Sequence, residues 1–272
     1  MKSTPILFSV LLSLWSTFSQ AENKVYTFGV VPQQAATKLA KQWAPLLAQL
    51  SKQSGITLRF KTAPNISDFE KRLVAGEYDF AYMNPYHYTI AHQKPGYQAI
   101  AKTRDKNLTG IIVVPHDSKI TRIEQLDGKN VAFPAPGAFA ATLLPLAFLQ
   151  QKQISVSPHY VSSHDSVYQN IALGQYEAGG GITRTFDNSA FKNKLRILWT
   201  SPPHTPHAFA AHPALPKDVV QKVQLTMTKL HETPQGKKLL TQLGLNALQA
   251  ANDKQWDDIR LLNIKLLDHL LQ

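Results

Sequence analysis

From residue 24 onward, short β-rich runs alternate with stretches of helical periodicity, and the alternation starts afresh near residue 110. Residues 24–31 (KVYTFGVV) read as a first strand ended by Pro32. Leu39, Ala40, Trp43, Leu46, Leu47 and Leu50 then recur at helical spacing, with Pro45 expected to kink that helix and Gly55 to stop it. A second strand is expected over 56–61. Ser67, with Glu70 three residues on, reads as a capping box for a helix whose buried stripe is Phe69, Leu73 and Val74. A third strand over 78–82 leads into a helix begun by Pro85. The second series has strands at 110–114, 130–133, 159–162, 176–180 and 195–199, with helices over 140–150 and 166–173. The proline-dense SPPHTPHAF (201–209) marks a connection. Beyond it lie a strand at 209–212, a helix over 217–230 and an amphipathic C-terminal helix with Trp256, Ile259, Leu262, Leu266 and Leu270 on its face. Strand–helix–strand order predicts parallel strands with right-handed crossovers. The expectation is an α/β chain of two lobes, each a mostly parallel sheet flanked by helices, with a cleft between them. Lobe 1 comprises 22–115 and 206–272, and lobe 2, inserted into it, comprises 116–205.

Residues 1–21 have the makeup of an export signal. Lys2 supplies the positive start, the apolar run 6–14 is too short to span a bilayer, and Ser19-Gln20-Ala21 predicts cleavage after Ala21. No later segment is long and apolar enough to cross a membrane. The absence of cysteine excludes a disulfide framework and a lipidated N-terminal Cys. A periplasmic, unanchored monomer resting on its hydrophobic core is expected. The formal charge of the whole chain is +11, and after residue 21 its lysines and arginines are scattered from Lys24 to Lys265 without a basic run. That argues against nucleic acid, and leaves either an ordinary solvated surface or one that concentrates anions.

Several local patterns admit a chemical and a bland reading. DFAYMNPYHY (79–88) is either a strand end packed by aromatics or the floor of a ligand cleft. His204, His207 and His212 lie close together, but Pro206 and Pro213 intervene and no i, i+4 pair exists, so no metal site is expected. Ser163-His164-Asp165-Ser166 reads as a helix cap, because adjacent residues seldom form a triad. Gly179-Gly180-Gly181 lacks the Gly-Lys-Ser/Thr of a nucleotide loop and reads as room for a close backbone approach. No enzyme and no cofactor are expected.

The order and spacing of FGVVP (28–32), QWAPLL (42–47), GEYDFAYMNP (76–85), VVPHDS (113–118), QLDGKNVAF (125–133), the His164 segment and LWTSP (198–202) carry a resemblance. Together these segments resemble the PhnD-like periplasmic solute-binding proteins of phosphate, phosphite and phosphonate ABC transporters, over nearly all of the chain after residue 21. The resemblance implies the type II periplasmic binding protein fold, a small anionic ligand held between the lobes, and an ABC transporter permease as partner. A membrane kinase or cyclase served by a soluble sensor is the alternative partner. It also implies ligand contacts at Gln33 and Gln34 after the first strand, and at Tyr82, Asn84, Pro85 and Tyr86 after the third. Further contacts are implied at Phe139 and Thr142 at the second-lobe helix start, and at His164, Thr183, Arg184 and His207 on the second lobe's rim. Tyr82 and Tyr86 are expected as aromatic walls, His87 and Tyr88 as packing. The sequence departs from phosphonate binders of this family in two places. Their hydroxyl-rich Ser-Thr-Ser-Gly run is here Ala138, Phe139, Ala140 and Ala141, and carboxylates that meet a ligand ammonium are here Arg184 and His207. A ligand without a free ammonium group follows, bearing a second anionic group or an apolar body. His207, if cationic there, would strengthen anion binding below about pH 6.5.

Overall fold

The computed structural model describes residues 24–272, so the expected signal segment and its cleavage site lie outside the described residues. In chain order the strands are β1 Val25–Val30, β2 Thr57–Lys61, β3 Phe80–Met83, β4 Gln98–Thr103, β5 Gly110–Pro115, β6 Asn130–Phe133, β7 Ser157–Tyr160, β8 Ala178–Ile182, β9 Leu195–Thr200, β10 Ala208–Ala211 and β11 Leu248–Ala250. They gather into two sheets, ordered β11-β4-β10-β3-β1-β2 and β7-β6-β8-β5-β9. The helices are α1 Ala36–Ser54, α2 Ile66–Val74, α3 Pro85–Gln93, α4 Leu144–Gln151, α5 His164–Ala172, α6 Thr183–Asp187, α7 Lys217–Lys229, α8 Pro234–Gln242 and α9 Asp257–Arg260.

The two-sheet α/β architecture agrees with the alternation in the sequence, but each sheet is mixed, less parallel than that alternation predicts. β1 pairs in parallel with β2 and β3, and β6 with β7 and β8. The pairs β10–β3, β10–β4, β11–β4, β5–β8 and β5–β9 are antiparallel. The antiparallel members are where the chain leaves one sheet for the other and returns. β5 belongs wholly to the second sheet, so by sheet membership the outward crossing lies at 104–109, ahead of the boundary expected at residue 115. The return runs through 201–207. The two crossings pair with each other: Leu108 N–H donates to His204 O at 2.8 Å, and His204 N–H to Leu108 O at 2.9 Å.

Packing follows the periodicities. Leu39, Trp43, Leu46, Leu47 and Leu50 are the buried face of α1, which runs through the solvent-facing Pro45. Phe28, Trp43, Tyr82 and Phe209 stack beneath β1 and β3, with ring centroids 4.7 to 6.4 Å apart. Alternate residues of β5 face opposite sides of the second sheet. Ile111 and Val113 join Val167, Tyr168 and Ile171, whereas Ile112 and Val114 join Leu126, Val131 and Leu149.

Three local expectations are corrected. Asn65, not Ser67, caps α2 by accepting the Asp68 N–H at 2.8 Å, and Glu70 turns inward instead of closing a box. The C-terminal helix stops at Arg260, because Asn263 adopts a positive φ of 50°, which a right-handed helix cannot contain. Leu267 is buried in place of Leu266. The short β4, β11, α6 and α8 carry too weak a period to be read from sequence.

The glycine run of β8 lies inside a strand with both faces covered. A Cβ at Gly179 would stand 2.4 Å from Val167 Cγ1, and one at Gly181 2.2 Å from Tyr168 Oη. One at Gly180 would stand 1.9 Å from the Ala141 carbonyl oxygen, on the opposite side. The approach is to the protein's own helices and not to a phosphate. Gly180→Ala is therefore expected to lower stability by about 1–3 kcal/mol, since the backbone it meets must shift. Urea unfolding checks this through the denaturation midpoint.

Candidate functional site

The loop that leaves β1 carries Gln33 and Gln34 to the seam between the lobes, where both are buried. Gln33 joins three elements. Its carbonyl accepts the His164 N–H at the start of α5, at 2.9 Å. Its side-chain oxygen accepts from the Arg184 guanidinium on α6. Its amide nitrogen lies 3.1 Å from His207 Nε2 on the return crossing. With the oxygen taken by Arg184, the amide group must donate to His207, which places that imidazole's proton on Nδ1. Beside this relay, Gln34 and Lys38 reach Asp165 at 3.2 and 3.3 Å. The lysine–aspartate pair is part-exposed and is worth at most about 1 kcal/mol.

A second seam forms at the end of β3. Asn84 caps α3 by accepting the His87 N–H at 2.7 Å, and its Nδ2 donates to Gly137 O of the other lobe at 3.1 Å. His87 Nε2 meets Glu70 Oε1 at 2.8 Å, and that oxygen presses on Gly137 so closely that a Cβ there would stand 2.0 Å from it. Above it the chain makes a π turn over Phe139–Leu143, preceded by Ala138. The first N–H groups of a helix have no partner within it. Here they belong to residues 139–141, whose side chains offer no hydroxyl.

Two spaces lie along the seam. A narrow gap of about 10 Å³ is lined by Gln33, Asn84, Phe139, Ala140, His164 and His207, among others. It has room for about one water at most. Adjoining it, and sharing Leu108, Ile182 and His207, is a chamber of about 380 Å³. Tyr82, Phe209, Pro206 and Leu245 supply its apolar walls, and Thr109, Thr183, Arg184 and Lys106 its polar ones. The His207 ring stacks on Tyr82 with centroids 5.0 Å apart and planes 16° from parallel.

Electrostatics overturns one expectation. Burial, with the Arg184 charge beside it, lowers the His164 pKa to about 3. Burial and then Arg184 hold His207 well below the ordinary histidine range as well. His207 is therefore neutral near pH 7, not a cation that strengthens binding as the pH falls below 6.5. Arg184 carries the positive charge, and its bonded partners are carbonyl oxygens, Gln33 Oε1 and Leu243 O.

Of the remaining residues, Tyr82 and Thr183 line the chamber, and Asn84, Phe139 and His164 line the gap. Thr142 is fully buried, and its hydroxyl donates to Ala135 O, ahead of the π turn, at 2.8 Å. Pro85 is buried at the start of α3. Tyr86 does not form the expected wall: its hydroxyl accepts the Leu267 N–H at 2.8 Å, and it borders a separate depression with Ile259 and Asp268. His204, His207 and His212 diverge, toward Phe139, Tyr82 and Tyr97. Ser163 accepts the Ser166 N–H at 3.1 Å, the cap read from sequence. Lys106, Asn107 and Asn188 in the chamber are not singled out by the sequence, and Asp165, read there only as part of a helix cap, lies at the seam. The polar stretch 103–109 between two strands was the available signal for the first two.

Residues 28–256 match the family described as "ABC transporter, phosphonate, periplasmic substrate-binding protein". The chain belongs to this family. It is thus a substrate-binding protein of a transport system and not an enzyme, and family membership implies the periplasm. Transport also displaces the sensory alternative. The chain is 24% identical over 245 residues to the phosphate-import protein PhnD of Mycolicibacterium smegmatis, covering 77% of this chain and 73% of that one. It is 22% identical over 275 residues to the phosphonates-binding periplasmic protein of Escherichia coli, covering 94% and 81%. Its fold is similar to that of PhnD1 from Prochlorococcus marinus in complex with methylphosphonate, with a TM-score of 0.82 and 19% identity over 90% of this chain and 99% of that one.

The two neutral histidines set an acid limit on this phosphonate-family fold. Their folded pKa values lie below the unfolded value of about 6.5, so the unfolded chain takes up protons first as the pH drops. Their contribution to stability is complete above pH 6.5 and is lost as the pH falls below it, down to about pH 3 for His164. Urea unfolding free energies are expected to fall through this window by up to about 1.4 kcal/mol per pH unit for each histidine. His164→Gln should flatten that slope, whatever it does to the stability at pH 8.

Proposed function

We propose that this chain is the periplasmic receptor of an ABC importer, closing its lobes on a small oxyanion and presenting it to the permease. Phosphonate or phosphate chemistry is the ligand class indicated by the names of its relatives. The carrying observation is Arg184, a cation at the seam whose bonded partners are carbonyl oxygens and which makes no ion pair among the described residues. With His207 neutral beside it, and Asp187, the one carboxylate among the lining residues of the chamber, drawn to Lys192, a ligand ammonium would meet a like charge and no free carboxylate. The ligand is therefore an anion without a free ammonium group.

The proposed roles follow from position. The N–H groups of residues 139–141, with Asn84 and His164, receive the oxyanion as the gap widens around it; helix starts of this kind suit anions. Gln33 transmits lobe position to Arg184 and His207. Tyr82, Phe139 and Thr183 shape the walls. Gln34, Pro85, Tyr86 and Thr142 support the site without touching the ligand. We further propose that the mature chain begins after Ala21 and acts as a monomer. The paired crossings at Leu108 and His204 serve as the hinge.

Solution X-ray scattering should record a smaller radius of gyration when a bound anion draws the lobes together. An unchanged radius at saturating ligand would sink the closure mechanism. Arg184→Ala is expected to weaken anion binding about ten- to a hundredfold, given 1.5–3 kcal/mol for a charge-assisted hydrogen bond. Calorimetry on the ligands selected by a thermal-shift screen checks this. Tightest binding of 2-aminoethylphosphonate, unaffected by Arg184→Ala, would refute the reading.

A further inference from the structure

The narrow gap and the chamber are continuous through Leu108, Ile182 and His207, yet they differ about fortyfold in volume and differ in chemistry. A single tetrahedral oxyanion, received as the gap widens around it, accounts only for the gap and its backbone donors. The chamber, at about 380 Å³, falls within the size range of pockets that hold organic ligands. Its floor is the stacked Tyr82–His207 pair, with Phe209 and Leu245 adding apolar surface. Tyr82 is only 3% exposed, and its hydroxyl has no hydrogen-bond partner among the described residues, although it borders the chamber.

The charges in the chamber are unbalanced. Arg184 and Lys106 both line it, and Lys106 Nζ is engaged by a carbonyl oxygen, Gly244 O at 2.9 Å. The one carboxylate among its lining residues, Asp187, is drawn to Lys192 Nζ at 2.6 Å. Both cations retain N–H groups beyond those bonds: an ammonium has three donors and a guanidinium five. What remains unmatched in the chamber is a set of donors around a short apolar passage.

We propose that the ligand is a two-headed anion: a phosphonate at the gap, a short carbon chain across the Tyr82–His207 floor, and a carboxylate held in the chamber by Arg184 and Lys106. This rests on the receptor reading above and specifies its substrate class. Carboxyalkylphosphonates are that class. Arginine meets a carboxylate as a planar fork, and lysine meets it as a point charge.

The test compares 3-phosphonopropionate, ethylphosphonate and 2-aminoethylphosphonate by calorimetry on the full mature chain. The three share a phosphonate head and differ in the group at the far end. The expected order places 3-phosphonopropionate about tenfold or more ahead of ethylphosphonate, the gain of one charge-assisted contact. 2-Aminoethylphosphonate is expected last. Lys106→Gln, at an exposed position, should narrow the first ratio, by weakening 3-phosphonopropionate more than ethylphosphonate. Arg184→Glu should reverse the preference toward 2-aminoethylphosphonate, a result that mere damage to the fold cannot produce. Should Arg184→Glu fail to fold, Lys106→Glu provides the same reversal test. Equal affinity for ethylphosphonate and 3-phosphonopropionate overturns the two-headed ligand and leaves the receptor reading standing. Failure of all three, with phosphate and methylphosphonate also silent, overturns both.

Discussion

The carbonyl and amide of Gln33 hold the molecule's two halves in register. One residue of the first lobe accepts a backbone N–H from α5, takes the Arg184 guanidinium on its side-chain oxygen, and fixes the proton of His207. Each bond constrains the next. Because Arg184 occupies the oxygen, the amide nitrogen faces the imidazole, and because it faces the imidazole, Nδ1 must carry the ring proton. The low dielectric of the seam strengthens every member of this chain and penalises any left unpaired. Glycine or alanine at position 33 would remove both side-chain links and keep only the carbonyl.

Much of this architecture is legible in the amino-acid order, and the illegible parts have physical causes. Leu39, Trp43, Leu46, Leu47 and Leu50 announce α1 because a single amphipathic face packs on one sheet. Residues 110–114 announce β5 because a strand covered on both sides is apolar throughout. By contrast, β4 and β11 are paired antiparallel at one end of their sheet, and nothing in their short alternation distinguishes them from a loop. The C-terminal leucines read as one helix face because leucine periodicity does not report the positive φ of Asn263.

The cleft was legible unevenly, for similar reasons. Gln33, His164, Arg184 and His207 meet at the seam between the lobes, since position along the chain maps onto position at the strand ends. Charge state was not legible. His207 looks like a titratable base in sequence, and only its burial beside Arg184 makes it neutral. Tyr86 looks like Tyr82's twin across Asn84 and Pro85, but the turn into α3 rotates it away, toward Leu267. Glu70 sits where a capping box would place it, yet Asn65 has already satisfied the helix start, which frees the carboxylate to face His87.

Leu108 occupies an unusual mechanical position. It makes the backbone bridge between the two crossings and also walls both the gap and the chamber. With the proposed hinge at this bridge, the receptor gauges its cargo at the fulcrum and not at the tips of its jaws. A displacement imposed on a wall this close to the pivot is multiplied at the distant rims by the ratio of the lever arms. Molecules differing by a single methylene would then leave the outer faces of the lobes at measurably different angles. The spacing of those faces thus becomes a readout of what is inside.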